Sequence, residues 1–200
     1  MRNAMLEWAR ERGLQRYWQI DDNIQALGKV ANRKVVKCDP TEALVCAESV
    51  LSSNPRLALV GMAHREFAWS TKVAFSYKYI PVSCVLTRTD TGLSYDPAAE
   101  MKEDVDFALQ HWRKGWPTCS VLAYAMAKPK MGGGSRGGLA ERYANREDES
   151  GALAVHAKYP DWTELDRNSL GHIDVKVMWD RVMRRPVGRV RSKTGVQEVT

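Results

Sequence analysis

Short apolar runs alternate with amphipathic, capped helical stretches through most of this chain, and that alternation restricts the fold more than any other feature. The opening stretch to about Gly13 sets Ala4, Met5, Leu6, Trp8 and Ala9 among Arg and Glu, the pattern of an amphipathic helix, and Gly13 stops it. Tyr17-Trp18-Gln19-Ile20 then reads as a strand. A second helix begins where Asp39 can cap, Pro40 suits the first helical position and Glu42 completes a capping box ahead of Ala43, Leu44, Cys46 and Val50. Leu57–Val60, Val82–Leu86 and Val121–Met126 are further candidate strands. Between the last two, Met101, Val105, Ala108, Leu109 and Trp112 share one helical face, which Arg113, Lys114 and Gly115 close. Ile173, Val175, Val177 and Trp179 alternate with polar neighbours as a half-buried strand does. Strands and helices in this order give an α/β fold, with no internal repeat and no boundary inside the first 180 residues.

A chain of 200 residues with 44% hydrophobic and 27% charged residues can bury a core, and wholesale disorder is excluded. The four cysteines form no CxxC pair, which argues against a zinc ribbon or a redox motif. No stretch approaches the roughly 20 apolar residues of a membrane span. We therefore expect a reduced, cytoplasmic protein with no membrane partner. The net charge of +6 favours an anionic partner such as DNA or a nucleotide phosphate. Arg181, Arg184, Arg185, Arg189, Arg191 and Lys193 crowd the final twenty residues, so 181–200 is expected to be a flexible basic tail. Arg184, Arg185, Arg189 and Arg191 are its candidate DNA-phosphate contacts.

Three constellations could carry chemistry. Asp21-Asp22-Asn23 ends the first strand, where open α/β sheets place ligands, and its oxygens suit Mg²⁺ or Mn²⁺. An exposed turn would use the same residues. Lys102-Glu103-Asp104-Val105-Asp106-Phe107 puts carboxylates at a helix N-terminus, where the dipole stabilises them and where one could act as a general base. Lys128-Pro129-Lys130-Met131 leads into Gly132-Gly133-Gly134-Ser135-Arg136-Gly137-Gly138. Its backbone N–H groups, with Lys130 and Arg136, could cradle a phosphate, although no GK[ST] closes it and a plain surface loop would look alike. His172 precedes the late alternating strand and could complete a metal site.

Trp18-Gln19-Ile20-Asp21-Asp22-Asn23-Ile24, Gly61-Met62-Ala63-His64-Arg65-Glu66-Phe67 and Lys102–Phe107, in that order and spacing, resemble the TET-associated glycosyltransferase family. Pro129-Lys130-Met131-Gly132 with Gly137-Gly138 and Tyr143 fits the same pattern, and the resemblance spans roughly residues 3–180. It implies a GT-A-like mixed sheet flanked by helices. It also implies transfer of a sugar from a nucleotide-sugar donor, of the UDP-sugar kind, to 5-hydroxymethylated pyrimidines in DNA, in a family found mainly in phages; for a phage protein the compartment would be the host cytoplasm. By the same resemblance Asp21, Asp22 and Asn23 hold Mn²⁺ or Mg²⁺ and His172 joins them. Donor contacts fall to Asp21, Lys130, Gly133, Arg136 and Gly137. Asp104, with Glu103, is the acceptor-side base, and Trp116 or Trp69 could stack on an extruded base. Only about sixteen residues precede Tyr17, so a form lacking the N-terminal strand–helix–strand portion of a GT-A domain is expected over residues 1–180. Clustered carboxylates on a basic chain also suit a metal-dependent nuclease, and a non-catalytic DNA-binding remnant is the third reading.

Overall fold

The computed structural model describes residues 1–32, 34–65, 73–128 and 140–184. Helix α1 spans Arg2–Glu11, α2 Pro40–Ser53, α3 Glu103–Arg113, α4 Ala140–Ala144, α5 Asp148–Lys158 and α6 Trp179–Arg184. The strands are β1 Arg16–Ile20, β2 Ala26–Ala31, β3 Lys34–Lys37, β4 Leu59–His64, β5 Phe75–Ser76, β6 Cys84–Arg88, β7 Thr118–Ala127, β8 Thr163–Arg167 and β9 Ile173–Val177. β1 to β7 form one sheet in the order β1-β6-β4-β7-β2-β3, with β5 also on β7, while β8 and β9 make a separate hairpin sheet. The main sheet is mixed but mostly antiparallel; among the described strands only β4 and β7 pair in parallel.

Alternation along the central strands builds two cores, because successive side chains point to opposite sheet faces. Val60, Met62, Cys84, Leu86 and Val121 meet Ala43, Ala47 and Leu51 of α2 on one face. Leu59 and Val85 turn the other way, onto Leu6 of α1 and Phe107 and Ala108 of α3. Burying side chains such as Leu6 and Phe107, each 1% exposed, contributes about 1.5–3 kcal/mol apiece. A third cluster joins α3 to the outer layer through Leu109, Val155, Tyr159, Trp162 and Val182. Asp39 caps α2, but its carboxylate accepts from the Thr41 N–H at 2.9 Å rather than from that of Glu42. The β2–β3 hairpin, α5 and β8 were not anticipated from sequence. α6 runs past residue 180 into the stretch expected to be a tail, and its Val182 is 2% exposed.

Two features of this packing can be tested. Gly151 lies against the Glu100 carbonyl so closely that a Cβ would collide with backbone. Gly151→Ala should therefore destabilise the fold by about 1–3 kcal/mol, the usual cost of overpacking, in a denaturant melt. His111 is buried, with Nδ1 2.7 Å from the Phe107 carbonyl and Nε2 3.0 Å from Thr91 Oγ1. Burial pulls its pKa from 6.5 down to about 4. The unfolded chain thus binds the extra proton first, and stability should fall as pH drops from about 6.5 towards 4. The loss is at most about 1.4 kcal/mol per pH unit for that one proton. A His111→Gln variant should show a flatter profile of melting temperature against pH over that window.

Candidate active site

Strand direction decides where the acidic residues fall. β1 and β4 are both antiparallel to β6, and β4 is parallel to β7, so β1, β4 and β7 all point the same way. Asp21-Asp22, His64 and Lys128 therefore emerge at one edge of the sheet, which the start of β6 also reaches with Ser83. The Asp21 N–H donates to the Ser83 carbonyl at 2.8 Å. Lys128 Nζ donates to Asp21 Oδ2 at 2.8 Å and to Ser83 Oγ at 2.7 Å. Ser83 has φ +65° and Met101, across the site, +62°. Each such non-glycine residue costs about 1–2 kcal/mol and persists only because its surroundings hold it.

Asp21 and Asp22 open onto a cavity of about 630 Å³. α1 forms one wall through Met1, Arg2 and Met5; the turn from Tyr95 to Met101 and the first residue of α3, Glu103, form the other; Arg142 closes it. α1 is stitched in place, since Asn3 exchanges two hydrogen bonds with the Tyr95 backbone at 2.8 and 2.9 Å and Arg10 donates to the Thr89 and Leu93 carbonyls. The structure thus brings Asp21, Asp22 and Glu103 to one cavity.

The acidic run at the start of α3 divides its labour. Lys102 reaches Asp174 of β9 at 2.7 Å. Glu103 faces the cavity, 3.4 Å from Arg2 Nε. Asp104 is ion-paired to the Arg2 guanidinium. Asp106 is fully buried, accepting from Lys158 Nζ at 2.7 Å, Tyr159 Oη at 3.1 Å and Gln110 Nε2 at 2.6 Å. Asp106 is thus structural, and of the two candidate bases Glu103 is the one that lines the cavity.

His172 is engaged elsewhere. Its Nδ1 lies 2.9 Å from Asp148 Oδ1, and that carboxylate is fully buried and also takes Asn168 Nδ2 at 3.4 Å. The residues lining the cavity do not include His172. The two regions adjoin, however: the Tyr143 phenol is raised by burial and then by the negative fields of Asp148, Asp174 and Glu103 together. Trp116 precedes the start of β7 and so lies at the opposite edge of the sheet from Asp21, under the Arg88 guanidinium at 5.1 Å. That placement corrects its expected role as a stacking platform. Lys130, Gly133, Arg136, Gly137, Trp69, Arg185, Arg189 and Arg191 lie outside the described residues; Arg184 is exposed in the last turn of α6.

A divalent cation of the Mg²⁺ or Mn²⁺ kind takes about six oxygens. Among the described residues no three His, Cys, Asp or Glu groups converge to hold one, and Asp21 commits an oxygen to the Lys128 ammonium. Asn23 is exposed beside them. The described residues thus offer Asp21 an ammonium and no closed metal cage; a cation here would have to draw its remaining oxygens from phosphate and water. Sequence reasoning missed Ser83, Arg2 and Arg142, and it set Lys128 at the head of the glycine-rich stretch but gave the phosphate role to Lys130 and Arg136. A local signal for Lys128 was its place just past a candidate strand, two residues after Met126.

A mixed α/β sheet with carboxylates and a lysine at the shared end of its parallel-running strands is the kind of frame on which group-transfer sites are built. The chain matches the TET-Associated Glycosyltransferase family over residues 1–138 and belongs to it. That span contains Asp21, Asp22, Glu103, Asp104 and Lys128, and ends before His172. Searches among curated proteins and among solved structures found no match. No helix among the described residues is long and apolar enough to cross a membrane.

If His172 and Asp148 act as a packing pair, Asp148→Asn should cost about 1–3 kcal/mol in a denaturant melt, because a buried charge-assisted hydrogen bond is weakened. Unchanged stability with a selective loss of ligand binding would instead make His172 a site residue.

Proposed function

We propose that the chain moves a sugar from a nucleotide-sugar donor, of the UDP-sugar class, to the hydroxyl of a 5-hydroxymethylated pyrimidine in DNA. The observation that supports this reading is the convergence of Asp21, Asp22 and Glu103 on one cavity in a member of a glycosyltransferase family. The donor diphosphate would lie at the sheet edge beside Asp21, and the acceptor hydroxyl beside Glu103. As that oxygen attacks the anomeric carbon, Glu103 takes its proton. The bond from that carbon to the β-phosphate oxygen breaks, and its electron pair leaves with the nucleoside diphosphate. Asp104, bound to Arg2, serves to orient Arg2 rather than to accept the proton. A target on a base must be extruded from a duplex or presented in a single strand. Arg184, with Arg185, Arg189 and Arg191 beyond it, would grip the DNA backbone.

The test is incubation with DNA containing 5-hydroxymethylcytosine and a panel of nucleotide sugars, followed by mass analysis of the nucleosides. A hexose-sized mass gain with one donor is expected. Glu103→Gln should lower turnover by about 10²–10⁴-fold, the range for a lost general base, with the melting temperature held. Turnover equal to wild type would remove Glu103 from the mechanism, and no gain with any donor would overturn transfer to this acceptor.

A further inference from the structure

Every carboxylate that lines the cavity, Asp22 excepted, has a basic partner. Asp21 is paired with Lys128, Asp96 with Lys158 at 3.0 Å, Glu100 with Arg142 at 2.6 Å and Glu103 with Arg2. Three of those cations are shared with carboxylates outside the lining, Arg2 with Asp104, Lys158 with Asp106 and Arg142 with Glu147, so Lys128 is the one whose carboxylate partner among the described residues is a lining residue alone. At the point where the resemblance puts a divalent cation, between Asp21 and the donor phosphates, the chain places an ammonium. A dication on the same Asp21 carboxylate would be repelled by that ammonium a few ångströms away.

We propose that Lys128 is the cation that holds the donor diphosphate and that nucleotide binding needs no divalent metal, a role that presupposes the nucleotide-sugar chemistry proposed above. An ammonium has three N–H donors. Asp21 Oδ2 and Ser83 Oγ take two of them, and the third has no partner among the described residues. Neither Lys128 nor Ser83 is among the residues that line the cavity, so these two bonds hold Lys128 at the sheet edge behind Asp21, before the ligand arrives. Two elements set its position: the Asp21 carboxylate at the end of β1, and the Ser83 hydroxyl, presented by a backbone held at φ +65°. A lysine so placed acts on phosphate as a point charge. When the bond between the anomeric carbon and the β-phosphate oxygen breaks, its third N–H donates to the oxygen that receives the electron pair. The proton stays on Lys128, and no oxidant or further reactant enters.

The test is calorimetric titration of the full chain with UDP, and with GDP and ADP as alternative probes, in EDTA and again with Mn²⁺. Binding in EDTA within about threefold of that in Mn²⁺ is expected, a difference of well under one charge-assisted contact. Lys128→Met should weaken it at least about tenfold, as loss of one charge-assisted hydrogen bond implies, and Lys128→Arg should recover part of the loss. Binding seen only with Mn²⁺, or a Lys128→Met variant that binds like wild type, overturns the role of Lys128 and leaves the transferase reading intact. No binding of any nucleoside diphosphate in either buffer overturns both. Should Lys128→Met fail to fold, the wild-type comparison of EDTA with Mn²⁺ still decides.

Discussion

The parallel ladder between β4 and β7 is the constraint on which the site depends. Every other pairing among the described strands of the main sheet is antiparallel, so the strands on either side of that ladder inherit their directions from it. Were β7 reversed, Lys128 would emerge at the edge occupied by Trp116 and Arg88, a sheet's length from Asp21. The ladder is not uniform. β4 advances from Met62 to Ala63 while β7 advances from Val121 to Ala125, and the Leu122 and Ala123 N–H groups turn to the Ala74 carbonyl instead. An irregularity of this kind re-aims the strand that carries it. On its other edge the last part of β7 pairs with β2, where Ala127 meets Ala26, and this brings Lys128 beside the segment that holds Asp21.

Charge pairing around the cavity has an energetic logic. A partly exposed ion pair contributes little to stability, at most about 1 kcal/mol, because solvent and side-chain entropy offset the attraction. Arg2 and Arg142, which line the cavity, are therefore held in place without being held hard. A phosphate that enters the cavity can share these donors with the carboxylates at small cost, since one anion replaces part of another. Behind them lie the Asn3–Tyr95 exchange, the Asp106–Tyr159 bond and the Asp148–His172 pair, in which Tyr95, Asp106, Tyr159, Asp148 and His172 are all buried.

What was legible in the sequence is what local pattern encodes. Tyr17–Ile20 ending in Asp21, the capped helix at Pro40, and the acidic start of α3 all carry their signal within a few residues, and the structure has each of them. The β2–β3 hairpin carries no such signal: Gly28 interrupts it, lysines occupy both strands, and no Asn-Gly or Asp-Gly turn joins them. Lys128 and Asp21 are 107 positions apart and Arg2 and Asp104 about as distant, so only the topology that brings their elements together reveals them. His172 was singled out from its place before the late alternating strand and by analogy with a fold, with no sign of the partner that engages it. The residue that engages it, Asp148, sits in a helix that periodicity alone did not disclose.

The acidic run at the start of α3 shows why composition overstates a site. A helix turns by about 100° per residue, so Glu103, Asp104 and Asp106 cannot share one direction. Taking Glu103 as the reference, Asp104 lies about 100° to one side and Asp106 about 60° to the other. Glu103 meets the cavity, with Arg2 Nε at 3.4 Å; Asp104 meets the Arg2 guanidinium; Asp106 meets Lys158 and Tyr159 at the end of α5. Three carboxylates that look like one acidic motif on paper become one group open to a ligand, one that fixes a neighbouring helix and one that ties α3 to the outer layer. Of the three, only Glu103 joins Asp96 and Glu100 in lining that wall of the cavity, with its position set by the other two.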